Sequence, residues 1–280
     1  MSDGRVWLII GAGSGMGAAL ATAALAAGNA VVATGRSNDA VAKAVGKGDD
    51  LLVTRLDVTS PGDAQAAARA AVERFGRIDV LVNNAGCSYK GYFEEMTAEQ
   101  VEAQLAINLL GPMNVTRAIL PVMRRQRSGH VISISSGAGL IAFEYSSVYA
   151  ASKSGLGGWM GALQQEIAPF GIHTTIVNPG WFRTGLIRLD AAMWPQVPID
   201  DYAERSAAQR QWWESQSGQQ TGDPAKLARA VLLIAGQDPP PLRFLAGADA
   251  VALAERRAAD LLQQADAYRD LSTSLDVNDR

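Results

Sequence analysis

Tyr149 and Lys153 stand four residues apart in the run Tyr149-Ala-Ala-Ser-Lys153. On a helix that spacing puts a phenol and an ammonium on one face. A neighbouring cation favours phenolate, so the tyrosine is expected to titrate below its ordinary value of about 10 and to exchange a proton near neutral pH. Ser136 closes the apolar run that begins at Val131, and its hydroxyl can bond the same oxygen. Exposed Tyr/Lys pairs are also common on helix surfaces, so the chemistry depends on what surrounds the pair.

A second group of residues points to a nucleotide. Val6 to Ile10 is a continuous apolar run, the pattern of a parallel strand covered on both faces. Gly11-x-x-x-Gly15-x-Gly17 follows, and then an alanine-rich helix from Ala18 to Ala27. Glycines at a strand-to-helix turn let the backbone approach a pyrophosphate, whose charge meets the free N–H groups of the helix N-terminus. With 28 glycines in 280 residues the spacing alone is weak; its place after the first strand gives it meaning.

The remaining elements repeat that rhythm. Strands are expected at Ala30–Thr34, Leu51–Leu56, Ile78–Val82, Val131–Ile134, Thr174–Val177 and Leu242–Leu245. Helices are expected at Pro61–Phe75, from about Thr97 to Arg125 with a bend at Pro112, from Tyr149 onward, at Pro224–Ala235 and at Asp249–Tyr268. Thr97-Ala-Glu-Gln100 is a capping box, and Asp223-Pro224 is an N-cap followed by proline at the first turn. The alternation predicts an α/β fold with a doubly wound parallel sheet. No internal repeat or long linker divides the chain, so residues 1–280 are expected to form one domain. Between Trp181 and Gly222 the pattern loosens into a long irregular insertion, of the kind that is often functional.

Composition narrows the function. A net charge of −3 with no basic run argues against a nucleic-acid surface, and one cysteine, Cys87, allows no internal disulfide and suits a reducing, cytoplasmic setting. No apolar run reaches the roughly 18 residues of a spanning helix. Neither His130 nor His173 has a ligand-like neighbour, so no metal site is expected.

Taken in order, Gly11-x-x-x-Gly15-x-Gly17, Asn83-Asn84-Ala85-Gly86, Asn108, Ser136, Tyr149-x-x-x-Lys153 and Pro179-Gly180 resemble the short-chain dehydrogenase/reductases, over about two thirds of the chain. The resemblance implies a Rossmann-type, seven-stranded parallel sheet with helices on both faces and a nicotinamide dinucleotide along the C-terminal strand edge. It implies that Gly11, Gly13, Ser14, Gly15, Met16 and Gly17 cradle the pyrophosphate, and that Asp57 and Val58 flank the adenine. Asn83, Ala85 and Gly86 would line the cofactor's centre, Lys153 and Tyr149 its ribose, and Pro179, Gly180 and Thr184 its nicotinamide end. Tyr149 would be the general acid/base, Ser136 would hold the reacting oxygen, and Asn108 would anchor a water relaying protons to Lys153. Two features depart from the family pattern: Ile10 stands where threonine is usual, and the chain continues through the 249–268 helix rather than ending in a glycine-containing close. A homodimer through the long helices is therefore expected, and a tetramer is left open.

Cofactor choice is legible at the end of the second strand, where an Asp or Glu would bind a ribose 2′-OH. Gly35, Arg36 and Ser37 stand there instead, so NADP(H) is favoured over NAD(H). The insertion, with Trp181, Phe182, Leu186, Ile187, Met193 and Trp194, is expected to form a lid facing Leu140, Phe143 and Tyr145. Its partner would be a hydrophobic or aromatic ketone or secondary alcohol. The competing functions are a catalytically silent nucleotide-sensing scaffold, and an epimerase or dehydratase using the same Tyr/Lys pair.

Overall fold

The structure, a computed structural model, describes residues 4–187 and 194–277. Its first half runs β1 (Val6–Ile10), α1 (Gly15–Ala26), β2 (Ala30–Gly35), α2 (Asn38–Val45), β3 (Leu51–Arg55), α3 (Pro61–Phe75) and β4 (Val80–Asn83). Then come α4 (Ala98–Leu105), α5 (Gly111–Gln126), β5 (Gly129–Ile134), α6 (Ser147–Ile167), β6 (Ile172–Pro179), α7 (Ala203–Ser215), α8 (Pro224–Ala235), β7 (Arg243–Ala246) and α9 (Ala248–Ala267). The seven strands form one parallel sheet in the order β3-β2-β1-β4-β5-β6-β7. Strand order reverses between β1 and β4, and in doubly wound sheets a crevice opens at that point beyond the strand C-termini.

Strand side chains alternate between two cores because successive residues face opposite sides of a sheet. Val6, Leu8 and Ile10 pack with α3, α5 and α6, through residues such as Ala67, Val115 and Met160. Trp7 and Ile9 pack on the other face with α1 and α8, through Leu20, Ala24, Leu227 and Val231. Ile10 is buried in the first of these cores, so the place of the family's usual threonine is filled by packing.

The expected helix from about Thr97 to Arg125 is present as one continuous run, Ala98–Gln126. The capping box forms with both of its bonds at 3.2 Å. Between α4 and α5, residues Ala106–Leu110 widen into one π-helical turn, and Pro112 follows directly on it. The combined run Ala98–Gln126 is, among the described residues, the only helix long and apolar enough to cross a membrane. Here its apolar side lies on the sheet through Val115, Ile119 and Met123.

The insertion after β6 is a closed excursion. Phe182 and Gly222 form a parallel bridge at its neck: Gly222 N donates to Trp181 O and Arg183 N to Gly222 O, each at 2.8 Å. Within it α7 forms, a helix the sequence pattern does not announce. Asp249, in the first turn of α9, accepts from Trp181 N at 2.6 Å and so ties the C-terminal helix to the start of the excursion. Gly247 lies directly after β7 at φ +109°, so a glycine does close the last strand even though the chain continues.

Candidate active site

Along the C-terminal strand edge lies a cleft of about 1360 Å³. Gly11, Gly13, Ser14, Gly15 and Met16 line one end, Arg36, Ser37, Asp57 and Val58 its side, and Ser136, Tyr149 and Lys153 its centre, with Ala85, Gly86, Pro179, Gly180 and Thr184 beside them. Three residues expected there lie behind its wall instead: Gly17, Asn83 and Asn108.

The glycine loop fits a pyrophosphate. Ser14 precedes α1 without a side-chain cap, and the first turn of α1 holds no acidic residue, so its N–H groups open onto the cleft unneutralised. Gly11 and Gly15 take φ of +81° and +55°, conformations that L side chains rarely adopt. Gly17 serves packing rather than contact: a Cβ there would lie 2.1 Å from Gly11 O and 2.5 Å from Asn84 Nδ2.

Asn83 is a core residue and not a cleft residue. Its Nδ2 donates to Thr116 Oγ1 at 3.1 Å and Ser133 Oγ at 3.3 Å, below the floor between β4 and β5. The next residue takes the expected place. Asn84 lines the cleft and its Nδ2 donates to Gly11 O at 3.1 Å, tying β4 to the glycine loop. The motif pointed to both asparagines; strand alternation decides which of them turns outward.

Asn108 is fully buried in the π-helical turn. Cys87 N donates to its Oδ1 at 3.0 Å, while its Nδ2 donates to Cys87 O at 2.9 Å and Ser152 Oγ at 3.2 Å. The side-chain amide thus clamps the Gly86–Cys87 turn, beside Lys153. Cys87 is pushed up to about 11 by burial, which keeps it a neutral thiol and no nucleophile.

Lys153 donates to Ile134 O at 2.9 Å, and its Nζ lies 5.8 Å from the Tyr149 ring centroid. Burial holds the lysine down at about 8 and pushes the Tyr149 phenol above its ordinary value, with a hydrogen bond from Ser136 opposing the rise. The lowered tyrosine pKa expected from four-residue spacing is therefore not what the fold produces. The ammonium is spent on the β5 carbonyl, and desolvation of the phenol outweighs the opposing Ser136 hydrogen bond. Ser135 is not a rival for Ser136, because its hydroxyl is turned to Lys153 O at 3.3 Å. Tyr145 is no rival phenol either: it is buried, stacked edge-on against Tyr92 at 5.1 Å, and outside the cleft lining.

At the far end the walls are aromatic. Trp181, Phe182, Leu186 and Phe143 line the cleft as expected, joined by Trp212 and Trp213 from α7. Leu140 and Trp194 do not line it; Trp194 instead carries Arg210 over its ring at 4.6 Å. Met193 and the side chain of Ile187 lie outside the described residues. Lys90, which no motif singled out, also lines this end; only 2% of it is exposed, and burial lowers it to about 8.

A lysine lowered to about 8 in the fold and near 10.5 when unfolded costs stability. The cost is fully present below pH 8 and disappears as pH rises toward 10.5, because the unfolded chain binds the extra proton. Lys90→Met is expected to stabilise the protein at pH 7 by about 1 to 3 kcal/mol, with the gain shrinking across that window. Thermal melts of both proteins from pH 7 to 10 check it; a variant that melts lower at every pH overturns it.

Comparison with known proteins agrees with this geometry. A family model described as short chain dehydrogenase matches residues 5–192. Oxidoreductase BOA17 of Botryotinia fuckeliana (strain B05.10) is 36% identical over 272 residues, covering 96% of this chain and 98% of that protein. A 3-ketodihydrosphingosine reductase of Bacteroides thetaiotaomicron is 34% identical over 244 residues, 87% of this chain and 88% of its own length. The crystal structure of a short-chain dehydrogenase from Streptomyces avermitilis is similar with a TM-score of 0.88 at 38% identity, covering 97% of this chain and 100% of that one. The chain therefore belongs to the short-chain dehydrogenase family of nicotinamide-dependent oxidoreductases.

Proposed function

We propose that this protein is a single-domain, NADP(H)-preferring reductase of hydrophobic or aromatic ketones, acting reversibly on the corresponding secondary alcohols. The observation that carries it is the convergence of Tyr149, Ser136 and Lys153 with an uncapped helix N-terminus and an aromatic wall in one cleft. When bound, the nicotinamide supplies or accepts a hydride at the substrate carbon. Tyr149 gives a proton to the carbonyl oxygen, and its raised pKa means that the proton is present at neutral pH. Ser136 bonds the same oxygen and stabilises its developing charge. Lys153 holds the ribose, and Asn108 fixes the turn beside it.

Three features support the apolar substrate. Trp181, Trp212 and Trp213 pack together with ring centroids 5.0 to 5.6 Å apart. The excursion that carries them is closed at its neck, as a lid must be to move as a unit. One relative is named as a reductase of a 3-keto compound. A homodimer through α4–α5 and α6, with Leu110 half exposed on α4–α5, and a cytoplasmic location go with this reading.

For the cofactor, Arg36 is the deciding residue. It is exposed at the cleft, and its charge helps hold the Asp57 carboxyl below the usual carboxylate range, behind the stronger effect of hydrogen bonds from Thr59. Gly35 has a packing reason of its own, since a Cβ would lie 2.8 Å from Val41 Cγ2. An acidic side chain is thus sterically unwelcome there, and no carboxylate from that position would repel a 2′-phosphate beside Arg36. Arg36→Ala is expected to weaken NADPH by roughly 10- to 100-fold, the size of a charge-assisted hydrogen bond, and to leave NADH nearly unchanged. Kinetics with both cofactors, run on matched apolar and polyhydroxylated carbonyls, test the whole proposal. A wild type preferring NADH, or turning over the polar series better, overturns the corresponding part.

A further inference from the structure

Lysine is almost never fully buried unless paired, because an ammonium removed from water loses its hydration. Lys90 is buried in the cleft wall, yet among the described residues its Nζ has one hydrogen-bond partner, the neutral Ser88 Oγ at 3.3 Å. Its other neighbour is the face of Trp213, 4.3 Å away. An ammonium carries three donors, so two are left without an acceptor among the described residues. Among the described residues, the carboxylates nearby in sequence or on the cleft have other partners. Glu95 accepts from Ser206 Oγ at 2.6 Å, and Glu144 accepts from Tyr92 OH at 2.8 Å and pairs with Arg205.

The surroundings say what kind of molecule would bring the missing acceptor. Trp213 is stacked on Trp181 at 5.6 Å and 23°, and Trp212 closes edge-on against both. Trp213 Nε1 is itself buried without a partner, a second unused donor in the same cluster. All three indoles line the cleft that holds Tyr149 and Ser136. A flat apolar body can lie against such an aromatic wall, and a buried cation beside it favours an anion.

We propose that Lys90, set against Trp213, is an oxyanion subsite, and that the preferred substrate is an apolar or aromatic carbonyl compound bearing a carboxylate. This rests on the carbonyl-reduction function above and names its substrate class. Lys90 is here a specificity residue: it binds the substrate's distant end and takes no part in proton transfer. A purely structural lysine, bracing α7 through Trp213, would affect charged and neutral substrates alike.

The test uses 3-benzoylpropionate, its methyl ester and a trimethylammonium ketone of similar length. Their binding to the full chain, alone and with NADP⁺, is measured by isothermal titration calorimetry. Wild type is expected to bind the acid roughly tenfold or more tightly than the ester, and the cation weakest, the size expected for a charge-assisted hydrogen bond. In Lys90→Met the acid-to-ester ratio is expected to collapse toward unity. Equal binding of acid and ester by wild type, or an unchanged ratio in the variant, overturns the subsite. If the variant fails to fold, the wild-type ratio decides alone. Turnover with NADPH separates the two ideas. Selective acid binding with no reduction of either ketone removes the reductase function and keeps the subsite; reduction without acid preference does the reverse.

Discussion

Tyr149→Phe is expected to lower kcat for carbonyl reduction by about 10² to 10⁴ while leaving NADPH affinity nearly intact. The ring remains, so the α6 packing and the cleft wall keep their shape; only the proton donor is gone. The phenol titrates above its ordinary value because its surroundings are poorly solvating, so in the wild type the donor stays protonated at neutral pH. Ser136 cannot substitute, since a hydroxyl with no lysine or tyrosine behind it is too weak an acid. Steady-state reduction of an aryl ketone, with NADPH binding followed by its fluorescence, reads both quantities. Near-normal turnover in the variant would remove Tyr149 from the chemistry.

Lys153→Ala is expected to damage both quantities at once, raising the NADPH Kd by roughly 10- to 100-fold as well as slowing turnover. The ammonium sits where the end of β5 meets the Gly86 turn: it donates to Ile134 O, and a Cβ on Gly86 would lie 3.8 Å from it. Its remaining donors face the cleft, where a ribose can accept them. Because burial holds Lys153 at about 8, the cation is present at pH 7 and is lost as pH rises through about 8. Wild-type NADPH affinity should therefore weaken over that range, and Lys153→Ala should be flat there. Equal pH dependence in both proteins would show that another group is responsible.

Much of the frame was readable from local signals, because the features concerned are local. An apolar run ending in glycine, the Thr97–Gln100 box and the Asp223-Pro224 start each act within a turn or two of chain, and each appears where expected. α7 escaped because its tryptophans face Trp181 and Lys90 rather than the sheet, and none of its residues is buried, so it has no apolar stripe at helical spacing. The π-helical turn escaped because one extra residue per turn leaves no compositional trace, yet it positions Asn108.

The sequence by itself determined which chemical groups were available and in what order: the glycine loop, Arg36 without an acidic neighbour, Ser136, and Tyr149 four residues before Lys153. Tertiary structure decided what those groups are worth. Register against Ile10 and Ser133 put Asn83 in the floor and left Asn84 to the cleft. Burial, which spacing cannot report, reversed the expected shift of Tyr149 and left a lysine no motif had marked, Lys90, buried against an indole face. Charge effects depend on distance and solvation in three dimensions, and a one-dimensional spacing fixes neither.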